Sequence, residues 1–213
     1  MGFLFDNLYH TTIISSYDFY GVTMIFFIAM MGATVPANAF LRKHIKNGNT
    51  RIFYSPVSRV SIYSSKILTC FLFMALALTI NIIIFDTISL VNFGSDKIGY
   101  VILLIINFVL FLTILSSAIC VTLHSEELTN VILSNSMSVL GFLSGIFFPI
   151  ASLGAIFEKI ASFSPIKWTV DCIFQLIYDG QSTNYWWIMF ALLTLSSLLL
   201  LVVHKNYRPE DYI

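Results

Sequence analysis

The residues of this sequence that could carry out chemistry are few and widely scattered. Two adjacent acids, Glu126 and Glu127, stand at the start of an apolar stretch, and paired glutamates at a membrane face occur in metallo-type intramembrane proteases. That chemistry needs an arginine a few residues on and histidines in later apolar stretches. Here Asn130 follows instead, and His204 is the one later histidine. We therefore interpret the pair as acids in a turn or at the start of a helix, where the helix dipole favours negative charge.

The histidines, cysteines and glycines form no metal, redox or nucleotide motif. The histidines share no metal-ligand spacing, and the cysteines form no CxxC pair. They are His10, His44, His124 and His204, and Cys70, Cys120 and Cys172. The sequence contains neither GxxxxGK[ST] nor a dinucleotide-binding fingerprint. These observations predict a chain that is not an enzyme, has no cofactor or metal, and does not hydrolyse ATP by itself.

Positive charge is concentrated between the first two apolar stretches. Residues 42–66 hold six of the eleven Lys and Arg residues and no acid. Ser55-Pro56 is predicted to begin a short helix there, because serine caps helices and proline suits the first helical position. Two interpretations remain open. One is a basic loop that sets topology and touches anionic lipid, which charge alone favours, and the other is an interfacial helix that docks on a cytoplasmic partner.

A second patterned segment follows Ser164-Pro165 and ends before Gly180. Its polar residues recur every four positions, while apolar residues occupy another face, so the pattern predicts an amphipathic helix at the membrane interface. The polar residues are Lys167, Asp171, Gln175 and Asp179. Lys167 and Asp171 are spaced to form an ion pair along the helix.

The elements that position these residues are long apolar stretches. Apolar residues make up 58% of the chain, charged residues 10%, and mean hydropathy is +0.88, which predicts an all-α, polytopic transmembrane bundle. We predict a single transmembrane domain over residues 1–213 with about five spans. They lie at about 19–41, 67–90, 98–123, 129–149 and 185–204, with a loop at 42–66 and a re-entrant or interfacial segment at 150–180. Asparagines within the spans (Asn38, Asn81, Asn107 and Asn135) are expected to bond to neighbouring helices.

The distribution of Lys and Arg predicts which side of the membrane each loop occupies. Loop 42–66 and the C-terminal Lys205 and Arg208 outweigh the three lysines of the opposite side. By the positive-inside rule, the loop and the C-terminus are cytoplasmic in a multi-pass protein of the cell membrane. Tyr185, Trp186 and Trp187 then mark the outer boundary of the last span as an aromatic belt.

Two segments together resemble the ABC-2 type transporter permeases. Residues 51–59 read RIFYSPVSR, with Lys66 just before a span, which is similar to the coupling region of that family. Residues 145–150 read GIFFPI, and residues 163–168 read FSPIKW, followed by Asp171 and a run to Gly180. This second segment is similar to the outer segment that follows the family's fifth span.

The resemblance implies a permease subunit that works through partners. A separate ABC ATPase subunit binds ATP, a second permease copy or a complementary half completes the path, and lipid surrounds the bundle, with no role for nucleic acid. The cargo of such exporters is a drug, an antimicrobial peptide or a lipid. The implied ATPase-coupling residues are Arg51, Ser55, Pro56, Val57, Ser58 and Arg59. The implied outer gate segment contains Pro149, Pro165, Trp168 and Asp171.

The sequence departs from that family in two ways. A first span is missing, which suggests a truncated or split permease, and Arg42 and Lys43 stand where the family tends to carry an acid. An alternative is a non-transporting immunity or binding protein that sequesters a peptide or toxin, although it would need no coupling loop. A membrane enzyme is a third reading, disfavoured by the absence of clustered acids, histidines or nucleophiles.

Overall fold

The computed structural model describes residues 16–41, 56–94, 97–147, 159, 161–162, 164–179 and 184–208. All regular structure within these ranges is helical, so the prediction of an all-α bundle is confirmed. The helices are α1 (Ser16–Met31), α2 (Thr34–Leu41), α3 (Arg59–Thr87), α4 (Ile98–Leu123), α5 (Glu126–Leu143), α6 (Pro165–Phe174), a π-helical turn (Gln175–Asp179) and α7 (Tyr185–Asn206).

Four helical segments of the described chain are long and apolar enough to cross a membrane. They are Asp18–Leu41, Arg59–Thr87, Ile98–Leu123 and Tyr185–Asn206. They correspond to four of the predicted spans. The predicted span at 129–149 overlaps α5, which has 18 residues and is not among the four. Since residues 148 and 149 lie outside the described ranges, the count of five spans stays a prediction.

The bundle is built around α4. This helix packs against α7, α3, α2 and α5, and more weakly against α1 and α6. Its side chains are apolar on nearly every face, and such a helix is stable only where other helices surround it. Buried Asn107 donates to the backbone carbonyl of Met189 at 3.0 Å, and Asn130 donates to Asn38 at 3.1 Å. The prediction of interhelical asparagine bonds is confirmed for Asn38 and Asn107, whereas Asn81 bonds within its own helix, and for Asn135 it stays a prediction.

The first spanning segment is interrupted at Gly32-Ala33, between α1 and α2. Pro36 explains the break, because it lacks an N–H and its ring would clash with the carbonyl four residues before it, that of Gly32. Gly32 also lies against α3, where a Cβ would overlap the Met74 side chain. The predicted single helix over 19–41 is therefore two helices.

The second spanning helix begins within the predicted loop. Helix α3 starts at Arg59, and the Ser58 side chain accepts a hydrogen bond from the Ser61 N–H at 3.2 Å. The predicted start at Ser55-Pro56 is wrong, because Ser58 is the residue that caps the free N–H groups of the first turn. Helix α3 has 29 residues and is about 43 Å long. Residues 59–66 are therefore the first two turns of this spanning helix rather than a separate interfacial helix.

A tight turn joins α4 to α5. His124 takes a left-handed conformation with φ 53°, and its N–H bonds to the carbonyl of Cys120 at 3.1 Å. Ser125 then caps α5, and Glu126 and Glu127 occupy its first turn. The interpretation of the two acids as residues at a helix start is confirmed.

Candidate functional site

Five helices begin or finish at one end of the bundle, which we call the basic end. Helices α2, α4 and α7 finish there, and α3 and α5 begin there. It carries Arg59, Lys66, Lys205 and Arg208. The opposite, far end carries the start of α7 and helix α6.

Aromatic side chains join three helices at the basic end. Tyr63 of α3 shares a 3.0 Å hydrogen bond between its hydroxyl and Nδ1 of His204 on α7. Its ring meets that of Tyr207 edge-on at 5.4 Å, and Tyr207 meets Phe40 of α2 at 6.1 Å. The Lys66 Nζ lies 5.2 Å from the Phe40 ring centroid. We call these five residues the Phe40 cluster.

The aromatic residues of the Phe40 cluster are buried. Phe40 is fully buried, and Tyr63 and Tyr207 are each 5% exposed. Edge-on aromatic pairs and a cation over a ring face have preferred geometries, so they hold the three helices in a set arrangement. Burial also raises the pKa of Tyr207 to about 12.

The described part of the predicted coupling stretch leads directly into this cluster. Pro56, Val57, Ser58 and Arg59 are exposed at the start of α3. Tyr63 follows Arg59 after one turn. Arg51 and Ser55 lie outside the described residues. The structure thus places an exposed surface one helical turn from a buried connection to α2 and α7.

Sequence reasoning missed most of this connection. Its charge and the resemblance to the coupling region both point to Lys66, and His204 fits no metal-ligand spacing, but Phe40, Tyr63 and Tyr207 carry no signal in the sequence. Aromatic residues at the ends of apolar stretches are common in membrane proteins. Only the packing of α2, α3 and α7 shows that Phe40, Tyr63 and Tyr207 contact each other.

At the far end, the predicted amphipathic helix is present. Helix α6 begins with Pro165 at its first position, its face with Ile166, Val170 and Ile173 is buried, and Lys167 pairs with Asp171. The ion pair is confirmed. The α-helix ends at Phe174 rather than continuing to Asp179, and one π-helical turn follows.

Two of the predicted gate residues line a cavity of about 310 Å³ between α6 and the start of α7. The Trp168 indole N–H donates to the carbonyl of Ser162 at 2.6 Å, which orients the ring, and Asp171 lies one turn further along the helix. Cys172 also lines the cavity, and burial raises its pKa to about 11, so its thiol is protonated at neutral pH. Pro149 lies outside the described residues.

Other contacts tie the far-end segment to the spanning helices. The rings of Phe19 on α1 and Phe174 on α6 stack with centroids 5.3 Å apart. The Tyr185 hydroxyl of α7 donates to the Tyr100 carbonyl of α4 at 3.0 Å. Helix α6 therefore contacts α1 through one stacked ring pair and also packs against α7, α4 and α5.

The bond between Tyr63 and His204 can be tested directly. Replacing Tyr63 by phenylalanine keeps the ring packing and removes the hydroxyl, so we expect a loss of about 1 kcal/mol in the free energy of unfolding. Reversible unfolding in detergent micelles would measure it. Tyr100→Phe is the control, because its exposed ring leaves the bond accepted by its backbone carbonyl intact. Equal, negligible losses for both variants would show that the Tyr63 hydroxyl contributes nothing.

Comparison with known proteins identifies a family. A sequence model described as "ABC-2 family transporter protein" matches residues 7–203. No curated protein and no solved structure matches the chain. The matched range includes all of α1 to α6 and most of α7, and it ends one residue before His204.

Proposed function

This chain belongs to the ABC-2 family of transporter proteins, and from that premise we propose that it is the permease subunit of an ABC exporter, driven by a separate ATPase subunit. The ATPase binds ATP and docks on residues 42–66. A second permease copy or a complementary half completes the path through the cell membrane. The basic end and the C-terminus face the cytoplasm, in keeping with the positive-inside rule.

The continuity of α3 is the observation that supports this proposal. The exposed stretch of Pro56 to Ser58 leads directly into a helix that begins at Arg59 and runs unbroken to Thr87. A helix transmits displacement along its length, so a partner that pushes on Arg59 displaces a helix of about 43 Å. The Phe40 cluster passes that displacement to α2 and α7 within the first two turns.

The far-end segment has a complementary role in this mechanism. Helix α6 is joined to α1 by the Phe19–Phe174 stack and borders α7 across the Trp168 cavity. Movement of the spanning helices therefore changes the position of α6. We assign this segment to closing the outer end of the path for a drug, an antimicrobial peptide or a lipid.

Reversing the two coupling arginines tests the docking surface. We expect the tagged chain, extracted in mild detergent, to recover an ATPase subunit, identified by mass spectrometry. Changing both Arg51 and Arg59 to glutamate should reduce that recovery by at least about tenfold, because one lost charge-assisted contact of roughly 1.5 kcal/mol already has that effect.

A matched control separates docking from a general effect of charge. Changing Lys97 and Lys159 to glutamate reverses two charges away from the basic end and should leave the recovery of the ATPase unchanged. Equal recovery with the Arg51 and Arg59 variant would contradict the proposed docking surface. Recovery of the chain alone, or with only a small peptide, would instead support a non-transporting binding protein.

A further inference from the structure

A groove of about 590 Å³ runs between α3 and α7, with α4 as its floor. None of the described residues that line it belongs to the Phe40 cluster, and Ser61 at one end donates its backbone N–H to the Ser58 side chain of the coupling stretch. Five serines and seven apolar residues line it. They are Ser61, Ser64, Ser65, Ile67, Leu68, Phe71, Leu110, Ile114, Leu193, Ser196, Ser197 and Leu200.

Small side chains on facing helices create this groove. The serines leave space where leucine or phenylalanine would fill it. The serine hydroxyl groups already donate hydrogen bonds within their own helices. Ser65 donates to the carbonyl three residues before it at 2.9 Å, and Ser196 and Ser197 donate to carbonyls four residues before them at 2.7 and 2.8 Å. Hydrocarbon can therefore fill the groove without leaving these donors unsatisfied.

The length of the groove limits what can occupy it. Along α3 it extends from Ser61 to Phe71, which corresponds to about 15 Å at the helical rise per residue. A bilayer is about 40–45 Å thick with its headgroup regions, so one leaflet is about 20 Å and the groove lies within it. A transmembrane helix of another chain would need a seam of twice that length, whereas one acyl chain of one leaflet matches it.

We propose that this groove binds one acyl chain of a membrane phospholipid from the leaflet at the basic end. Along α3 the wall of the groove changes from polar to apolar, in the same order as a phospholipid changes from headgroup to acyl chain. Ser61, Ser64 and Ser65 lie in the first two turns, at the level of the glycerol and headgroup region. Ile67, Leu68 and Phe71 lie deeper, at the level of the hydrocarbon.

Packing forces rather than the hydrophobic effect stabilise this complex. Within hydrocarbon there is no water to exclude, and association depends on van der Waals contact. An unfilled hollow between helices loses those contacts, and a flexible acyl chain restores them. The proposal requires only that the chain spans a bilayer, so it does not depend on the transport function or on the orientation in the membrane.

Lipid retention during purification tests the proposal. Native mass spectrometry of the full chain, extracted from membranes in mild detergent, should detect about one tightly held phospholipid per chain. Ser197→Phe and Ser65→Phe fill the groove from opposite walls with no loss of core packing, since both residues are exposed. Each variant should lower the retained lipid by about tenfold, equivalent to 1.4 kcal/mol.

Leu198→Phe is the matched control, because Leu198 is 61% exposed, lies on the same helix and is outside the groove. It should retain lipid as the unmodified chain does, and all variants should elute as single symmetric peaks with similar melting temperatures. Equal lipid content in the Ser197→Phe and Leu198→Phe variants, or no lipid on the unmodified chain, would overturn the proposal. A change of oligomeric state in Ser197→Phe with no change in lipid would assign the groove to a protein contact instead.

Discussion

Replacing Phe40 by alanine is expected to lower the free energy of unfolding by about 3–5 kcal/mol, the range for removing a large aromatic side chain from a packed core. Phe40 is fully buried where α2 meets α3 and α7, and its ring faces both Tyr207 and the Lys66 ammonium group. Its loss leaves a cavity and removes the surface against which the lysine lies. Equilibrium unfolding in detergent micelles, followed by near-ultraviolet circular dichroism, would measure the change.

Two further variants identify the cause of that loss. Phe190→Ala removes the same side chain from a position on α7 that is 61% exposed, and its effect should be within about 0.5 kcal/mol of zero. Phe40→Leu keeps most of the volume and should cost less than about 1.5 kcal/mol. If Phe40→Ala were as mild as Phe190→Ala, the Phe40 cluster would not join the helices at the basic end. The role of the cluster in coupling would then have no structural support.

A second large effect is expected where α1 meets α4 within the bundle. Phe26 and Phe108 are both fully buried, and their rings meet edge-on with centroids 5.3 Å apart at an interplanar angle of 63°. Each alanine substitution should cost about 3–5 kcal/mol. The double variant should lose less than the sum by about 0.5–1.5 kcal/mol, because the ring–ring contact can be lost only once.

The control for this double-mutant cycle pairs Phe26 with a distant residue. Phe26 on α1 and Phe40 on α2 are separated by about 21 Å of helix. The effects of Phe26→Ala and Phe40→Ala should therefore add within about 0.5 kcal/mol. Additive effects of Phe26→Ala and Phe108→Ala would mean that α1 and α4 do not pack through these two rings. Unfolding curves of the three single and two double variants, measured in one detergent, provide the comparison.

Several features could be predicted because they depend on local rules. The bounds of α4 agree with those predicted, 98–123. In a bilayer, an uninterrupted apolar stretch forms a helix because its backbone N–H and C=O groups must hydrogen-bond to each other. The start of α6 at Pro165 and the Lys167–Asp171 pair follow from helix capping and four-residue spacing. The match of residues 7–203 confirms the family to which the two recognised segments pointed.

The features that could not be predicted depend on which helix faces meet. The predicted start of α3 is too early, because Pro56 and Ser58 both lie in sequence contexts that allow a helix to begin. The structure shows that the Ser58 side chain accepts the hydrogen bond from the Ser61 N–H. The break at Gly32 could have been inferred from Pro36, but the close approach of Met74 could not.

The membrane class, the family and the approximate positions of the spanning helices follow from the sequence, because hydropathy and short-range spacing act within one stretch of chain. Tertiary structure decided how the coupling stretch connects to the rest of the bundle and where a groove remains. Phe40, Tyr63 and His204 lie far apart in sequence, and each would be unremarkable on an isolated helix. They form one cluster because the last turns of α2 and α7 and the first turns of α3 meet at the basic end, and that arrangement arises only when the faces of several helices pack together.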